Sequence, residues 1–145
     1  MQPDTSPVNL AKRSPAIYQA FLQAQEAILA AGLPPLLHHL VVLRASQINA
    51  CAFCVNMHIS EARRDGETEA RLDRLIVWRH VPDFSDAEKA ALAWTEALTV
   101  LKEDTQYGLL RLRLREHFSD EQISALTATV AMINLWNRVQ ISQHA

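Results

Sequence analysis

The stretch LRASQINACAFCVNMH, residues 43–58, contains both cysteines of the 145-residue chain and one of its six histidines. We read its second half, from residue 50, as the start of a helix for which Asn49 is a candidate N-cap. In that helix Cys51, Cys54 and His58 take positions i, i+3 and i+7. Residues three and four apart on a helix are surface neighbours, so the spacing predicts two thiols and an imidazole along one stripe.

Each of these three side chains has a chemical task that fits its position. Cys51 falls in the predicted first turn, where free backbone N–H groups and the helix dipole favour a thiolate. His58 follows Cys54 by one turn and can share its proton. If a peroxide oxidises Cys54 to a sulfenic acid, Cys51 is the nearest thiol to condense with it. Cβ atoms three residues apart on a helix stand about 5–6 Å apart, whereas a disulfide prefers about 3.5–4.5 Å. We therefore expect the bond to strain the first turn and to be easily reduced.

Two other interpretations of the cysteines stay open at this point. The two cysteines and the histidine could be buried side chains that have only a packing role. A disulfide between residues three apart would add little stability, because it would restrict the unfolded chain very little. Zinc is a further alternative, since cysteine and histidine are its ligands. Three ligands on one helix face cannot surround a tetrahedral ion, so a fourth, such as His39 or His80, would have to come from elsewhere.

Outward from this stretch the sequence predicts a single all-helical domain over residues 1–145. Ser14-Pro15 opens a helix that Gly32 ends, and serine-led capping boxes at Ser85 and Ser119 open two more. No segment alternates apolar and polar residues at a strand period. We predict six or seven helices, at about residues 15–31, 35–45, 50–64, 68–80, 86–101, 109–117 and 120–142, with a break at 46–49. The last is apolar on several sides, which predicts a central position or a subunit interface.

Composition and charge limit the class of protein. Apolar residues make up 49% of the chain, and the formal net charge is −2. Such a balance gives no electrostatic reason to expect nucleic acid or a membrane surface as a partner. The N-terminal residues do not form a secretory signal, and no apolar run is long enough to span a bilayer. We expect a cytoplasmic protein, in which closely spaced cysteines are typically redox-active or metal-binding.

Residues 43–58 closely resemble the core motif of the AhpD-like alkylhydroperoxidases of the carboxymuconolactone decarboxylase superfamily. The resemblance extends over most of the chain, through Trp78-Arg79 and through residues 84–86, 91–96 and 134–138. It implies a compact all-helical fold that forms a homo-oligomer, a trimer or a hexamer. It also implies thiol peroxidase or disulfide reductase activity without a bound cofactor, with a small hydroperoxide as substrate and an external thiol or dithiol as reductant.

The resemblance also assigns roles to single residues. Cys54 matches the peroxidatic cysteine, Cys51 the resolving cysteine and His58 the proton-relay histidine. At position 39 the family pattern has a glutamate that supports the relay, whereas this chain has His39. An imidazole there would repel a protonated His58, so we expect a less acidic Cys54 and slower attack on peroxide. Glu61 follows His58 by three residues, so its carboxylate can reach His58 and could replace the family's glutamate. The alternative interpretation is that Glu61 is a solvated surface charge.

The expected function is therefore an antioxidant, cysteine-dependent peroxidase of the AhpD-like type. A non-catalytic redox-sensing or assembly subunit that keeps the dithiol is the alternative from a different class. Decarboxylation, the reaction of the superfamily's namesake, does not require a CxxC pair, so the presence of the pair counts against it. The polar residues of the last helix are expected to fix a turn between helices or a subunit contact, rather than to bind substrate; they are Asn134, Asn137 and Arg138.

Overall fold

The computed structural model describes residues 1–144, and every regular element among them is helical. The elements are α1 (Leu10–Arg13), α2 (Pro15–Ala30), α3 (Pro35–Ile48), α4 (Ala52–Arg64), α5 (Glu69–Arg74), a 3₁₀ segment (Leu75–His80), α6 (Asp86–Thr99), α7 (Tyr107–Arg115) and α8 (Asp120–Ile141). The predicted all-helical class is confirmed. None of the helices in this range is long and apolar enough to cross a membrane.

Helix α3 lies at the centre of the fold. Leu40, Val41 and Leu43 on it are completely buried, because its sides face different neighbours. One core cluster joins it to α6, α7 and α8, and a second joins it to α4, α5, the 3₁₀ segment and α6. A helix that is apolar on all sides is a buried helix.

Helix α8 is the second central element, which confirms one of the two positions predicted for it. Its buried residues include Leu126, Val130 and Ile133, and it packs against α2, α3, α4, α6 and α7. Both predicted capping boxes are present, with the Ser85 and Ser119 side chains each accepting from the backbone N–H three residues on. Helix α2, in contrast, has no fully buried residue and lies on the outside of the bundle against α8.

The predicted break at residues 46–49 was wrong. Helix α3 continues to Ile48, because the Ser46 hydroxyl donates to the carbonyl of Val42 at 2.7 Å and is satisfied within the helix. Asn49 is the C-cap of α3 and not the N-cap of α4. Ala50 then takes a left-handed backbone conformation with φ of 54°, an uncommon one for a residue with a Cβ. This tight turn reverses the chain directly before Cys51.

Three smaller boundaries also differ from the prediction. The helix predicted for residues 68–80 is α-helical only to Arg74 and continues as the 3₁₀ segment, with Val77 outside helical geometry. Side chains three apart eclipse in a 3₁₀ helix, so Leu75 and Trp78 enter the core together. Helix α7 begins at Tyr107, two residues before the predicted start, and the short helix α1 was not predicted.

Candidate active site

Amide side chains of α8 hold the turn that precedes the cysteines. The Asn49 amide donates to the side-chain oxygens of Asn134 and Asn137, at 2.9 Å in each case. Asn137 is completely buried and donates to the Ser46 hydroxyl at 3.0 Å. These bonds join the end of α3 to α8. They are the turn-fixing contacts expected for Asn134 and Asn137, while Arg138, within residues 1–144, bonds only back to Asn134.

Cys51 is the N-cap of α4, not a residue of its first turn. Its sulfur accepts a hydrogen bond from the backbone N–H of Cys54 at 3.4 Å. Cys51 and Cys54 are joined as a disulfide, with Cα atoms 5.3 Å apart, and are 0% and 1% exposed. The expected strain in the first turn assumed that both cysteines have helical spacing. Because Cys51 precedes the helix, that assumption was wrong.

Cys54 lines a cavity of about 650 Å³ between α2, α3, α4 and α8. Cys51 is absent from the cavity wall, so of the two cysteines only Cys54 borders a space in which a ligand could lie. The wall is apolar toward α2 and α8, where Leu22, Ile28, Met132, Ile133 and Trp136 line it, and polar toward α3 and α4, where His38, His39, His58, Glu61 and Asp65 line it.

His58 lies in this wall and is 8% exposed. Its Nδ1 is 3.4 Å from Oε2 of Glu61, the distance of an ion pair, but among the described residues neither ring nitrogen has an aligned hydrogen-bond partner. Burial lowers the pKa of His58; the Glu61 carboxylate opposes this shift, and His39 adds to it. The structure thus brings His58, His39 and Glu61 to one wall. Glu61 has the position of the substitute carboxylate.

His39 is also buried, at 6% exposed, and pairs with a residue that sequence reasoning missed. Its Nε2 donates to Oδ2 of Asp65 at 2.6 Å, a bond that joins α3 to the end of α4. That hydrogen bond from His39 lowers the pKa of the Asp65 carboxyl. Nδ1 of His39 is buried and has no partner within residues 1–144. Nothing in the sequence spacing pairs position 39 with position 65.

The third imidazole of the wall, His38, is half-buried. Burial, followed by the neighbouring His39 and His58, lowers its pKa to about 4. The other proposed zinc ligand, His80, is exposed and lines a separate groove beside Lys89 and Arg113. In the part of the chain that the structure describes, no three histidine, cysteine, aspartate or glutamate side chains are grouped so as to hold a metal ion.

The Trp78-Arg79 motif lies away from the cavity, around Glu96. Its Oε1 accepts from Trp78 and from Arg44, each at 2.9 Å, and its Oε2 accepts from Arg79 at 2.5 Å. Arg44 belongs to α3, Trp78 and Arg79 to the 3₁₀ segment, and Glu96 to α6. This half-buried carboxylate therefore connects three elements of the bundle, and the Trp78-Arg79 motif has a structural role.

Comparisons with known proteins extend this geometry. YdfG, an uncharacterised protein of Bacillus subtilis, is 42% identical over 103 residues, which are 71% of this chain and 70% of YdfG. A protein of unknown function from Agrobacterium tumefaciens, named a putative antioxidant defence protein AhpD, has a crystal structure that superposes with a TM-score of 0.90 at 38% identity, over 96% of this chain and 95% of that one.

A peroxidase-related protein with an alkylhydroperoxidase AhpD core, from Ralstonia eutropha, superposes with a TM-score of 0.77 at 26% identity, over 89% of this chain and 68% of that one. The model of the carboxymuconolactone decarboxylase family matches residues 15–97, a range that includes α2, α3, the cysteine pair and His58. The chain belongs to the carboxymuconolactone decarboxylase family, as an AhpD-like member.

Proposed function

We propose that this protein is a thiol-based antioxidant oxidoreductase that reduces organic hydroperoxides at Cys54. The observation that carries the proposal is the Cys51–Cys54 disulfide, of which Cys54 alone faces a largely apolar cavity beside a buried histidine. A dithiol that can close on itself is what a two-cysteine peroxidase requires after one turnover. The family relationship supports the same reaction class.

The reaction balances with the residues of this wall. In the reduced protein the Cys54 thiol gives its proton to His58, and the thiolate attacks the terminal oxygen of the hydroperoxide. The O–O bond breaks, Cys54 becomes a sulfenic acid, and the leaving alkoxide takes the proton from His58. The Cys51 thiol then attacks the Cys54 sulfur, so the disulfide forms and water leaves. An external dithiol reduces the disulfide and is itself oxidised.

The state of His58 supports this role. A buried imidazole nitrogen without a hydrogen bond is costly, and most buried polar groups have a partner. In the disulfide form Cys54 has no S–H group, and neither nitrogen of His58 has an aligned hydrogen bond among residues 1–144. Reduction creates a thiol four residues away on the same helix, where side chains are neighbours. The missing partner of His58 is thus the group on which we propose that it acts.

The cavity supports an organic hydroperoxide rather than hydrogen peroxide alone. Its volume of about 650 Å³ is within the range of small-molecule sites, and its apolar side can bury a hydrocarbon group.

Exposed apolar side chains support the expected homo-oligomer, a trimer or hexamer; they include Ile17, Leu29, Phe53, Leu101 and Leu112. Light scattering should give a multiple of the 16.3 kDa chain mass, and a monomer mass at micromolar concentration would contradict this.

A non-catalytic redox-sensing subunit is the second candidate, because both sulfurs are almost completely buried and a bulky reductant could not reach them directly. Turnover separates the two candidates. An enzyme consumes cumene hydroperoxide continuously when a small dithiol is supplied. A sensor stops after one equivalent, with its disulfide closed.

The central experiment follows the two thiols by mass. One equivalent of cumene hydroperoxide added to the reduced protein should remove two hydrogen atoms and close the Cys51–Cys54 disulfide. In Cys51→Ser the product should be a sulfenic acid on Cys54 that dimedone traps, whereas Cys54→Ser should not react. Two unmodified thiols after excess peroxide would contradict the proposal.

A further inference from the structure

Asp65 and His39 form the tightest contact in the cavity wall, yet the reaction described above uses neither of them. We infer that Asp65 is a positioning residue for the Cys54 site and acts through His39. Its carboxylate fixes the orientation of the His39 ring and balances the charge that this ring can carry, so that His58 can accept the proton of Cys54. The inference rests on the proposed thiol chemistry at Cys54.

The geometry fixes how the His39 ring is used. A neutral imidazole has one N–H group, and an ionised carboxylate can only accept. The 2.6 Å bond to Asp65 therefore requires the hydrogen on Nε2 and leaves Nδ1 as an acceptor. Nδ1 is buried and without a partner in the described chain, in a ring that lines the same cavity as His58 and Cys54. A buried acceptor in a ring that lies beside His38 and shares a cavity wall with His58 can receive a hydrogen bond from an imidazolium.

The charges around the site show what Asp65 contributes. The titratable or charged side chains of the cavity wall, other than Cys54 and His58, are Tyr18 on α2, His38 and His39 on α3, and Glu61, Arg64 and Asp65 on α4 and its C-cap; those from α8 are uncharged. Without Asp65, His39 would be neutral or positive. With Asp65, the pair is negative or neutral at any pH at which the carboxylate is ionised. His58 can then become an imidazolium without a net positive neighbour at position 39.

The carboxylate is too far from the sulfur to oppose the thiolate. Eleven residues separate Cys54 from Asp65, a rise of about 16 Å along the helix. At that distance the Coulomb interaction with the thiolate is several-fold weaker than the interaction of Asp65 with His39 across their 2.6 Å contact. Asp65 therefore acts on the histidines, and its removal should make Cys54 less acidic rather than more acidic.

The test measures the pH dependence of Cys54 alkylation by iodoacetamide in a Cys51→Ser background, which needs no peroxide. Asp65→Asn keeps the shape of the side chain and a possible acceptor oxygen, and it removes only the charge. We expect it to raise the midpoint of the profile by about one pH unit, roughly a tenfold loss of thiolate near neutral pH. Asp104→Asn, which removes an exposed carboxylate far from the cavity, is the matched control and should leave the profile unchanged.

Rescue distinguishes a charge from a merely structural contact. Adding His39→Glu to the Asp65→Asn variant places a carboxylate directly on α3 and should return the midpoint toward that of the background. Failure of this rescue in a folded protein, or superimposable profiles for Asp65→Asn and Asp104→Asn, would overturn the inference. If Asp65→Asn does not fold, ¹⁵N NMR of the reduced wild-type protein decides: His39 with its hydrogen on Nδ1 at neutral pH overturns the inference, and hydrogen on Nε2 supports it.

The two proposals fail in different ways. A shifted and rescued alkylation profile in a protein whose thiols ignore cumene hydroperoxide supports the role of Asp65 and contradicts peroxide reduction. Peroxide oxidation at an undiminished rate in Asp65→Asn, with an unshifted profile, supports the proposed function and overturns the role of Asp65.

Discussion

Two histidine–carboxylate pairs line the same cavity, and they differ in how the chain builds them. His58 and Glu61 are three residues apart on α4 and approach to 3.4 Å without an aligned hydrogen bond. His39 and Asp65 are 26 residues apart, on α3 and the C-cap of α4, and form a 2.6 Å hydrogen bond. Glu61 and Asp65 side chains are both 36% exposed, so the difference is in the contact and not in solvent access. The loose pair contains the histidine proposed as the base, and the tight pair contains its support.

The comparison indicates a division of labour. A base must change its protonation state during turnover, so a weak contact with its carboxylate leaves it free to move and to titrate. A positioning group must stay in one tautomer, which a short charge-assisted hydrogen bond enforces. The predictions below test whether the two pairs differ in this way.

The largest expected difference is between the two histidines themselves. His58→Gln removes the base and should slow the oxidation of Cys54 by cumene hydroperoxide about 100-fold at pH 7. His39→Gln removes the ring whose Nδ1 is proposed to accept a hydrogen bond from the His58 imidazolium. It should slow the oxidation about tenfold, since a change of one pKa unit is roughly a tenfold change in thiolate population. The measurement is a rapid-quench time course of Cys54 modification by mass spectrometry, in the Cys51→Ser background.

A matched control for both variants is His80→Gln, an exposed histidine outside the cavity, which should oxidise at the unchanged rate. Equal losses in His58→Gln and His39→Gln would contradict the division of labour. A larger loss in His39→Gln would exchange the two roles.

Contacts between residues close in the chain could be predicted from the sequence, whereas contacts between residues far apart in the chain could not. The His58–Glu61 pair depends on helical spacing alone, and that spacing can be read directly from residues 58–61. The His39–Asp65 pair depends on how α3 and α4 pack, which no local pattern records. The position of Cys51 was missed for a related reason: the turn is set by Asn49 bonding to amides on α8, 85 and 88 residues along the chain. The all-helical class and the two capping boxes were predicted because they too depend on residues that are close together in the sequence.

His38 provides an internal reference, because no carboxylate forms a hydrogen bond to it within the described chain. Its pKa is lowered to about 4, mainly by burial, whereas the unfolded chain titrates near 6.5. Between these values the unfolded state binds a proton that the folded state does not bind, so stability should fall as pH drops from 6.5 toward 4. After allowance for partial exposure, we expect the wild type to lose about 1–2 kcal/mol more than His38→Gln does between pH 7 and pH 5.

Urea unfolding of both proteins at the two pH values measures this difference, with His80→Gln as the matched control that should behave like the wild type. The stabilising effect of the lowered Asp65 pKa is lost only at lower pH, below the ordinary value of 3.8, and lies outside this window. If His38→Gln and the wild type have the same pH dependence of the free energy of unfolding, then burying His38 without a carboxylate partner does not lower stability in this pH range.

The smallest expected effect concerns Glu61. Glu61 opposes the lowering of the His58 pKa, so Glu61→Gln should make His58 a weaker base and Cys54 slightly less acidic. A helix pair three residues apart contributes about 0.2–0.5 kcal/mol, which is roughly a twofold loss of Cys54 alkylation rate at pH 7. Because a partly exposed pair without a hydrogen bond is screened, the loss should vanish in about 1 M salt, while the tenfold loss in Asp65→Asn should persist. If Glu61→Gln slows alkylation as much as Asp65→Asn does, or if salt removes both effects equally, the tight and loose pairs do not differ in function, and Glu61 is the main support of His58.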